Sequence, residues 1–276
     1  MFDLHVHTAP DVQPRLADDR EVVAMYEHAG FSGCVLKGHY DATAGRARVA
    51  GDGSPVRVYG ALALNQHVGG INPAAVAASL AMGARVIWMP TADSHTQEAA
   101  GLPRLSRTRP GLASATYAIP PLDAAVEDHV RQVVALIADA DAVLATGHLS
   151  IPEIAWLLPV ARAAGVMRLL LTHPCWTVPA MSAAEAAALA GEDAYVEITA
   201  YQLLHQPDAT AAMLARFART VGLPRIILSS DAGQPDSPPP PEALSRLVEA
   251  LAAEGLDRGA LQECASGRPE QLVTPR

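Results

Sequence analysis

The sequence predicts an α/β fold, a single (β/α)8 TIM-like barrel that spans residues 1–276. Short apolar runs rich in β-branched and aliphatic residues recur eight times, and helical patterns separate most of them. The length of 276 residues is close to the roughly 250 residues of a typical barrel. Apolar strands that alternate with helices indicate parallel pairing with both faces of the sheet covered.

The predicted strands and helices follow one another in a regular order. The eight apolar runs are Phe2 to Val6, Gly33 to Leu36, Val56 to Leu64, Arg85 to Met89, Ala142 to Ala145, Arg168 to Leu171, Tyr195 to Ile198 and Ile226 to Leu228. Helix boundaries are marked by Asn72-Pro73, by Gly83, and by the capping boxes Ser150/Glu153 and Ser182/Glu185. A last helix is predicted around residues 241–253. A doubly wound open sheet is the competing architecture, but no glycine-rich turn follows the first strand, so the barrel is preferred.

The longest predicted connection lies between the fourth and fifth strands. Residues 91–121 are rich in Pro, Ser, Thr and Arg and show no clear periodicity, which predicts a long loop. In a βα barrel the loops that follow the strands surround one end, the mouth, where active sites form. We therefore expect this loop to form part of the substrate enclosure.

Composition and charge restrict the kinds of molecule that this protein is expected to bind. The net charge is −9, with 29 acidic against 20 basic residues and no basic run, which argues against nucleic acid and membrane surfaces as partners. No stretch reaches the roughly 18 to 20 apolar residues of a membrane span, and a strand at Phe2 leaves no room for a signal peptide, so a cytoplasmic location is expected. Three widely spaced cysteines fit reduced thiols. The expected partner is a small-molecule substrate, and whether the chain forms a homo-oligomer stays open.

Histidines and one aspartate follow the predicted strands. The strand-end residues are His5, His7, Lys37, His39, His67, His148, His173 and Asp231. Because the carboxyl ends of all strands meet at the mouth, these side chains are expected to lie together there. His nitrogen and Asp oxygen are ligands of a borderline-soft divalent ion such as zinc, with manganese or iron as alternatives, and a catalytic site keeps one position open for water.

The local motif His5-Val6-His7 carries the metal prediction. Residues i and i+2 on a strand point to the same side, so two imidazoles can face one cation. Taken alone, the motif fits two histidines that are satisfied by hydrogen bonds as well as it fits two metal ligands. The other strand-end residues favour the metal.

The ordered motifs resemble those of the amidohydrolase superfamily of metal-dependent hydrolases. They are Asp3-Leu4-His5-Val6-His7-Thr8, Thr146-Gly147-His148, Leu171-Thr172-His173-Pro174 and Ser229-Ser230-Asp231. The resemblance implies that His5 and His7 bind the more buried metal, that His148 and His173 bind a second metal or the substrate, and that Asp231 binds the metal and the attacking water. It implies hydrolysis of an amide, cyclic amide, lactone or related bond, with decarboxylation as a further option at the same site.

One family feature is missing. Two-metal members usually carry a bridging lysine or glutamate after strand 4, where this chain reads Trp88-Met89-Pro90-Thr91. Either the site holds one ion, or another residue bridges two. Lys37 is the candidate, because it is the only lysine beside 19 arginines and closes an apolar run at the predicted mouth. An amine, unlike a guanidinium, can act as a base, a nucleophile or a carbamate-forming ligand.

A second resemblance competes with the first. The opening Asp-Leu-His-Val-His-Thr and the later Lys37-Gly38-His39 are also similar to motifs of the PHP phosphoesterases, which would make His39 and His67 metal ligands. A metal- or ligand-binding barrel without catalysis is the alternative outside the enzymes.

Other residues are assigned supporting roles. Asp231 is expected to take the proton of the attacking water, and His173 or His67 to stabilise the oxyanion. Arg15 follows the first strand, where a guanidinium can bind a substrate carboxylate or phosphate. Glu197 either holds a ligand histidine or is a solvated carboxylate.

Overall fold

The chain folds as the predicted (β/α)8 barrel in a computed structural model that describes residues 1–109 and 111–275. Within these residues eight parallel strands form one sheet in sequential order. The strands are β1 (Phe2–Val6), β2 (Gly33–Leu36), β3 (Arg57–Ala63), β4 (Ala84–Trp88), β5 (Val143–Ala145), β6 (Leu169–Leu171), β7 (Ala194–Thr199) and β8 (Ile226–Ser229). Each predicted apolar run therefore overlaps a strand.

The first and last strands close the barrel. Val6 forms a parallel bridge with Ala232, just beyond β8. The amide of Asp231 donates to the carbonyl of His5 at 2.7 Å, and the amide of His7 donates to the carbonyl of Ala232 at 2.8 Å. These bonds place the end of β8 directly beside the HxH motif.

Helices cover the outer face of the sheet. Within the described residues they are α1 (Asp19–His28), α2 (Ala44–Ala50), α3 (Pro73–Ala81), α4 (His95–Ala99), α5 (Leu105–Thr108), α6 (Glu127–Asp139), α7 (Ile151–Ala163), α8 (Ala183–Ala190), α9 (Ala200–His205), α10 (Ala211–Val221), α11 (Pro240–Ala253), α12 (Arg258–Cys264) and α13 (Gly267–Val273). The capping boxes predicted at Ser150/Glu153 and Ser182/Glu185 are present at the starts of α7 and α8. The sequence did not predict α12 and α13.

The apolar core has two layers. One lies between sheet and helices, and the other fills the interior of the barrel, where Phe2, Leu4 and Val86 meet side chains from the other strands. Leu272 and Val273 at the end of α13 belong to the interior layer. The last helix therefore closes the end of the barrel opposite the mouth, which we call the floor.

Residues 91–121 form the β4 insertion, which follows β4 as predicted. Two short helices, α4 and α5, lie within it, although the sequence showed no helical period there. His95 contacts the carboxylate of Glu153 on α7 at 2.7 Å, and the buried side chains of Arg104 and Asp93 pair at 3.5 Å. The first contact fixes the insertion against the barrel, and the second holds two parts of the insertion together. Pro110 lies outside the described residues.

Two further observations bear on the expectations from composition. Cys34, Cys175 and Cys264 are free thiols. Across residues 1–109 and 111–275, no helix is both long enough and apolar enough to cross a membrane.

Candidate metal centre

The HxH motif faces the interior of the barrel. The register between β1 and β2 shifts between Asp3 and Val6. Asp3 points toward the helix layer, where its carboxylate accepts from the Tyr26 hydroxyl at 2.5 Å and from the Ser230 amide at 2.9 Å. His5 and His7 are both buried on the other side, with ring centroids 5.3 Å apart.

Three ligand-type atoms meet at the mouth. Nε2 of His5 and Nε2 of His7 each lie 3.1 Å from Oδ1 of Asp231, and the ligand atoms of the three residues all lie within 4.8 Å of one another. Ligands at about 2.0 to 2.1 Å from a tetrahedral zinc ion are separated by about 3.3 Å. The residues present therefore fit a zinc-like ion in both chemistry and spacing.

The electrostatics of the cluster favour a cation. Burial opposes a charge on His5, but the carboxylates of Asp231 and Glu197 outweigh it and raise the pKa of His5. Burial likewise opposes the charge of Asp231, yet His5 and His7 hold its pKa well below the ordinary value. Two imidazole nitrogens and a carboxylate oxygen in contact need a proton or a metal ion between them, and metal binding competes with these protons.

The backbone is strained at two of the strand ends. Asp231 has φ of 49° and His173 has φ of 24°, in a region that non-glycine residues rarely adopt. Such strain clusters at functional sites, where the surrounding structure holds it in place. Asp3 supplies part of that restraint by binding the amide of Ser230, the residue before Asp231.

Glu197 on β7 orients His5. Its Oε1 lies 3.0 Å from Nδ1 of His5 and also accepts from the Ser229 hydroxyl at 2.5 Å, and the carboxylate is fully buried. Of the two interpretations open at the sequence, the structure supports the positioning role. A carboxylate on Nδ1 fixes the ring so that Nε2 faces the site.

Lys37 lies against the cluster. Its Nζ lies 2.8 Å from Nε2 of His5 and 4.9 Å from the ring centre of Trp88, the last residue of β4. Among the described residues the amine forms no salt bridge, although the charges of Asp231 and Glu197 favour its protonated form. Burial lowers the pKa of Lys37 to about 8. The sole lysine is thus a buried amine at the metal cluster, as the sequence predicted for its location.

His148 and His173 form the other side of the site. Their ring centroids are 5.1 Å apart, and Nε2 of His173 lies 4.0 Å from Oδ2 of Asp231. Nδ1 of His173 is buried without a hydrogen-bond partner among the described residues. Burial lowers the pKa of His173 to about 4, and burial together with His173 holds the pKa of His148 well below its ordinary value. Both rings are therefore neutral at pH 7 and able to donate a lone pair to a metal ion.

A cavity of about 340 Å³ opens above these residues. Its lining includes His7, Arg15, Lys37, His39, His148, His173 and Asp231, all of them predicted from the sequence. Arg15 pairs with Asp11 at 2.6 Å and also lies 3.3 Å from Nδ1 of His7. The ring of His39 stacks on that of His7, with centroids 4.8 Å apart.

His67, predicted to bind substrate or stabilise the oxyanion, is not among the residues that line this cavity. It lies exposed on a one-turn helix, Gln66–Val68, where its ring contacts Tyr40. The PHP interpretation needed His39 and His67 in one metal cluster, and the structure does not bring the two together there.

Several lining residues were missed in the sequence. They are Tyr40, Gln97, Arg104, Trp176, Tyr201 and Gln234. Trp176 follows the strand-6 histidine by three residues, so its position could have been found; its ring centroid is 5.1 Å from those of His148 and His173. Gln97 and Arg104 lie in the β4 insertion, where no periodicity indicates which side chains turn inward.

Comparison with sequence families gives one match. Residues 1–197 match the profile of DUF6282, described as a family of unknown function. The chain belongs to this family. No curated protein matches the sequence. DUF6282 membership thus brings no activity with it.

Solved structures confirm the fold of this DUF6282 member. An amidohydrolase from Pseudomonas aeruginosa is 11% identical with a TM-score of 0.61, over 99% of this chain and 94% of its own. An organophosphorus hydrolase from Deinococcus radiodurans is 10% identical with a TM-score of 0.64, over 99% and 92%. A mutant PTE-like lactonase from the same organism is 11% identical with a TM-score of 0.61, over 99% and 95%. Identities this low establish the shared barrel and leave the activity open.

Proposed function

We propose that this protein is a divalent-metal-dependent hydrolase that cleaves an amide, cyclic amide, lactone or related bond of a small molecule. The observation that carries the proposal is the convergence of His5, His7 and Asp231, whose ligand atoms lie within 4.8 Å of one another beside the cavity. The neighbours with the same barrel are named as an amidohydrolase, an organophosphorus hydrolase and a lactonase, which supports a hydrolase as the general class.

In this proposal His5, His7 and Asp231 hold the ion, with zinc as the expected metal and manganese or iron as alternatives. A divalent ion bound there would lower the pKa of a water molecule to about 7 and polarise the bond under attack. His148 and His173 bind either a second ion or the substrate.

The proton is handled by this chain's own residues. Asp231 accepts the proton of the attacking water and passes it to the leaving group, because its carboxylate is ionised and opens to the cavity. His173, on the opposite side of the same cavity, is placed to stabilise the oxyanion. Arg15 and His39 contact the substrate.

The proposal also assigns a role at the metal site to the amine of Lys37. Its amine is buried beside His5, so it acts at the metal site in one of two ways. It either contacts the substrate as an amine, or its neutral form adds CO2 and releases a proton to give a carbamate that would bridge two ions. The carbamate would supply the bridging carboxylate that the end of β4 lacks.

The test is a substrate panel on protein that has been stripped with a chelator and reloaded with zinc, manganese or iron. The panel contains lactones, linear and cyclic amides, phosphotriesters and phosphomonoesters. We expect turnover of a lactone or amide that chelation removes and metal restores. Turnover of phosphomonoesters alone would favour the PHP interpretation instead. Turnover that survives complete metal removal, or metal-loaded protein without any activity on the panel, would overturn the proposal.

A further inference from the structure

The β4 insertion contributes a side chain that contacts a histidine of the mouth. Gln97, on α4, is almost fully buried and places its Oε1 2.9 Å from Nδ1 of His148, a residue 51 positions later in the chain. Thr96, the residue before it, donates its hydroxyl to the backbone carbonyl of His148. The insertion therefore binds this histidine at both its ring and its backbone.

The orientation of the Gln97 amide is fixed by its second partner. Its Nε2 donates to the carbonyl oxygen of Pro103 at 3.0 Å. A carbonyl oxygen only accepts hydrogen bonds, so the amide nitrogen must face Pro103 and the amide oxygen must face His148. The amide oxygen also only accepts, which requires the proton of the His148 ring to be on Nδ1. Nε2 of His148 is then the nitrogen with the lone pair.

The same arrangement occurs on the other side of the site. Nδ1 of His5 contacts the carboxylate of Glu197, which leaves Nε2 of His5 facing the metal cluster. Gln97 and Glu197 thus hold two histidines from different strands in the same protonation pattern. His173, which lies between them, has no partner on its Nδ1 among the described residues.

We propose that Gln97 is a positioning residue, which fixes His148 in the Nδ1–H tautomer so that Nε2 faces the cavity as a ligand for a metal ion or an acceptor for substrate. The use of that lone pair rests on the proposed function, whereas the tautomer itself does not. The β4 insertion therefore orients a histidine of the site, in addition to lining the cavity.

The direct test is nuclear magnetic resonance of the ring nitrogens in the full chain, labelled with ¹⁵N-histidine and kept metal-free with a chelator at neutral pH. The His148 signals are assigned by their loss in His148→Asn. We expect a neutral ring with the proton on Nδ1. In Gln97→Met, which keeps the length of the side chain but has no oxygen acceptor, the ring should change to the Nε2–H form that the free histidine side chain prefers. In Gln97→Glu, which keeps an acceptor oxygen, Nδ1 should stay protonated.

A matched control separates this effect from a general loss of stability. Gln202 is another buried glutamine, whose side chain caps α9 and donates to the Cys175 thiol instead of contacting a histidine ring. Gln202→Leu should lower the melting temperature but leave the His148 tautomer unchanged. An Nε2–H ring in the wild-type protein, or an Nδ1–H ring that persists in Gln97→Met, would overturn the proposal. The wild-type spectrum decides even if a variant does not fold.

A second measurement tests the use of the lone pair. Loss of such an orienting contact typically weakens metal binding or activity by about 10- to 100-fold. We expect Gln97→Met to lower kcat or metal affinity by at least about tenfold and Gln97→Glu to retain most of both. If the predicted tautomers are found but both quantities are unchanged in Gln97→Met, the functional half of the inference is wrong. If the wild-type chain has neither metal nor hydrolase activity, the proposed function fails while the spectra still decide the tautomer.

Discussion

The two ends of the barrel differ in how their buried charged side chains are paired. At the floor, the guanidinium of Arg168 donates two 2.7 Å bonds to the carboxylate of Asp141 and further bonds to the carbonyls of Gln271 and Leu272. Arg85 beside it donates to three carbonyls, one of them Val273 in α13. Both arginines cap the carboxyl end of the last helix, where a positive charge is favourable.

At the mouth the polar groups are incompletely paired. Nδ1 of His173 lacks a hydrogen-bond partner among the described residues, and Lys37 has the imidazole of His5 and the face of Trp88 beside it. Buried polar groups are normally satisfied, so exceptions need a reason. The paired charges at the floor stabilise the fold, whereas the polar atoms at the mouth remain available to bind a ligand. Substitutions at the two ends should therefore separate activity from stability.

The largest effect is expected at Asp231. Asp231→Asn should lower kcat by about 10³-fold or more, because an amide cannot accept the proton of water. Asparagine tolerates a positive φ, so the backbone and the melting temperature should be preserved. Steady-state kinetics and thermal unfolding measure both. Asp236→Asn, an exposed aspartate five residues later, is the control that should change neither. A variant with near-native kcat would remove Asp231 from its role as base.

Replacing the amine of Lys37 should lower the activity of the enzyme, and an apolar replacement should at the same time raise its stability. Lys37→Arg should lower kcat/KM by about 100-fold, since a guanidinium neither deprotonates nor forms a carbamate. Lys37→Met should be inactive yet more stable by about 1 kcal/mol, because it removes a buried charge without a carboxylate partner. Denaturant unfolding and kinetics on the same samples test this.

The carbamate version makes an additional prediction. Lys37→Ala should lose the second metal ion and recover activity when a short carboxylic acid is added. Arg48→Lys, an exchange on the exposed surface of α2, should leave kinetics and metal content as they are. Unchanged activity and metal content in Lys37→Arg would leave a mononuclear site without a role for the amine.

A substitution at the floor should lower stability and leave activity unchanged. Arg168→Met should lower the free energy of unfolding by about 2 to 3 kcal/mol, because buried carbonyls of α13 lose a charged donor. Its kcat per folded molecule should not change, since the floor is remote from the cavity. Arg246→Met, an exposed arginine on α11, is the matched control with little effect on stability. A large loss of kcat in folded Arg168→Met would show that the two ends are coupled.

The smallest effect is expected at the wall of the cavity. Leu102, in the β4 insertion, lines the cavity, whereas Leu112 in the same insertion does not. Leu102→Ala should raise KM several-fold with little change in kcat, because one lost apolar contact is worth about 1 kcal/mol or somewhat more. Leu112→Ala should leave KM unchanged. Equal KM values in the two variants would mean that the insertion does not enclose the substrate.

The sequence predicts the fold better than it predicts the site. Parallel strands buried on both faces read as continuous apolar runs, so all eight strands were located and the mouth followed from their order. The cluster of His5, His7 and Asp231 followed as well, because each residue ends a strand. His67 was expected at the mouth because it follows a strand, but it lies on the one-turn helix Gln66–Val68 and is not part of the cavity lining.

The contacts that orient the site were harder to predict. Glu197 lies near the end of the predicted seventh strand, and a carboxylate commonly accepts from a metal-bound imidazole, so the sequence allowed a positioning role. Gln97 lies in an insertion without periodicity, and its contact with His148 depends on how that segment folds back across the barrel. No spacing rule connects the two residues.

The account rests on a metal ion at the mouth, and metal stoichiometry tests it most directly. Elemental analysis should find at least one equivalent of zinc, manganese or iron per chain in protein purified without added metal or after supplementation. The double variant His5→Gln, His7→Gln should bind well under one equivalent while retaining the barrel's circular dichroism spectrum. Well under one equivalent in both wild-type samples would contradict the account, as would full occupancy in the double variant.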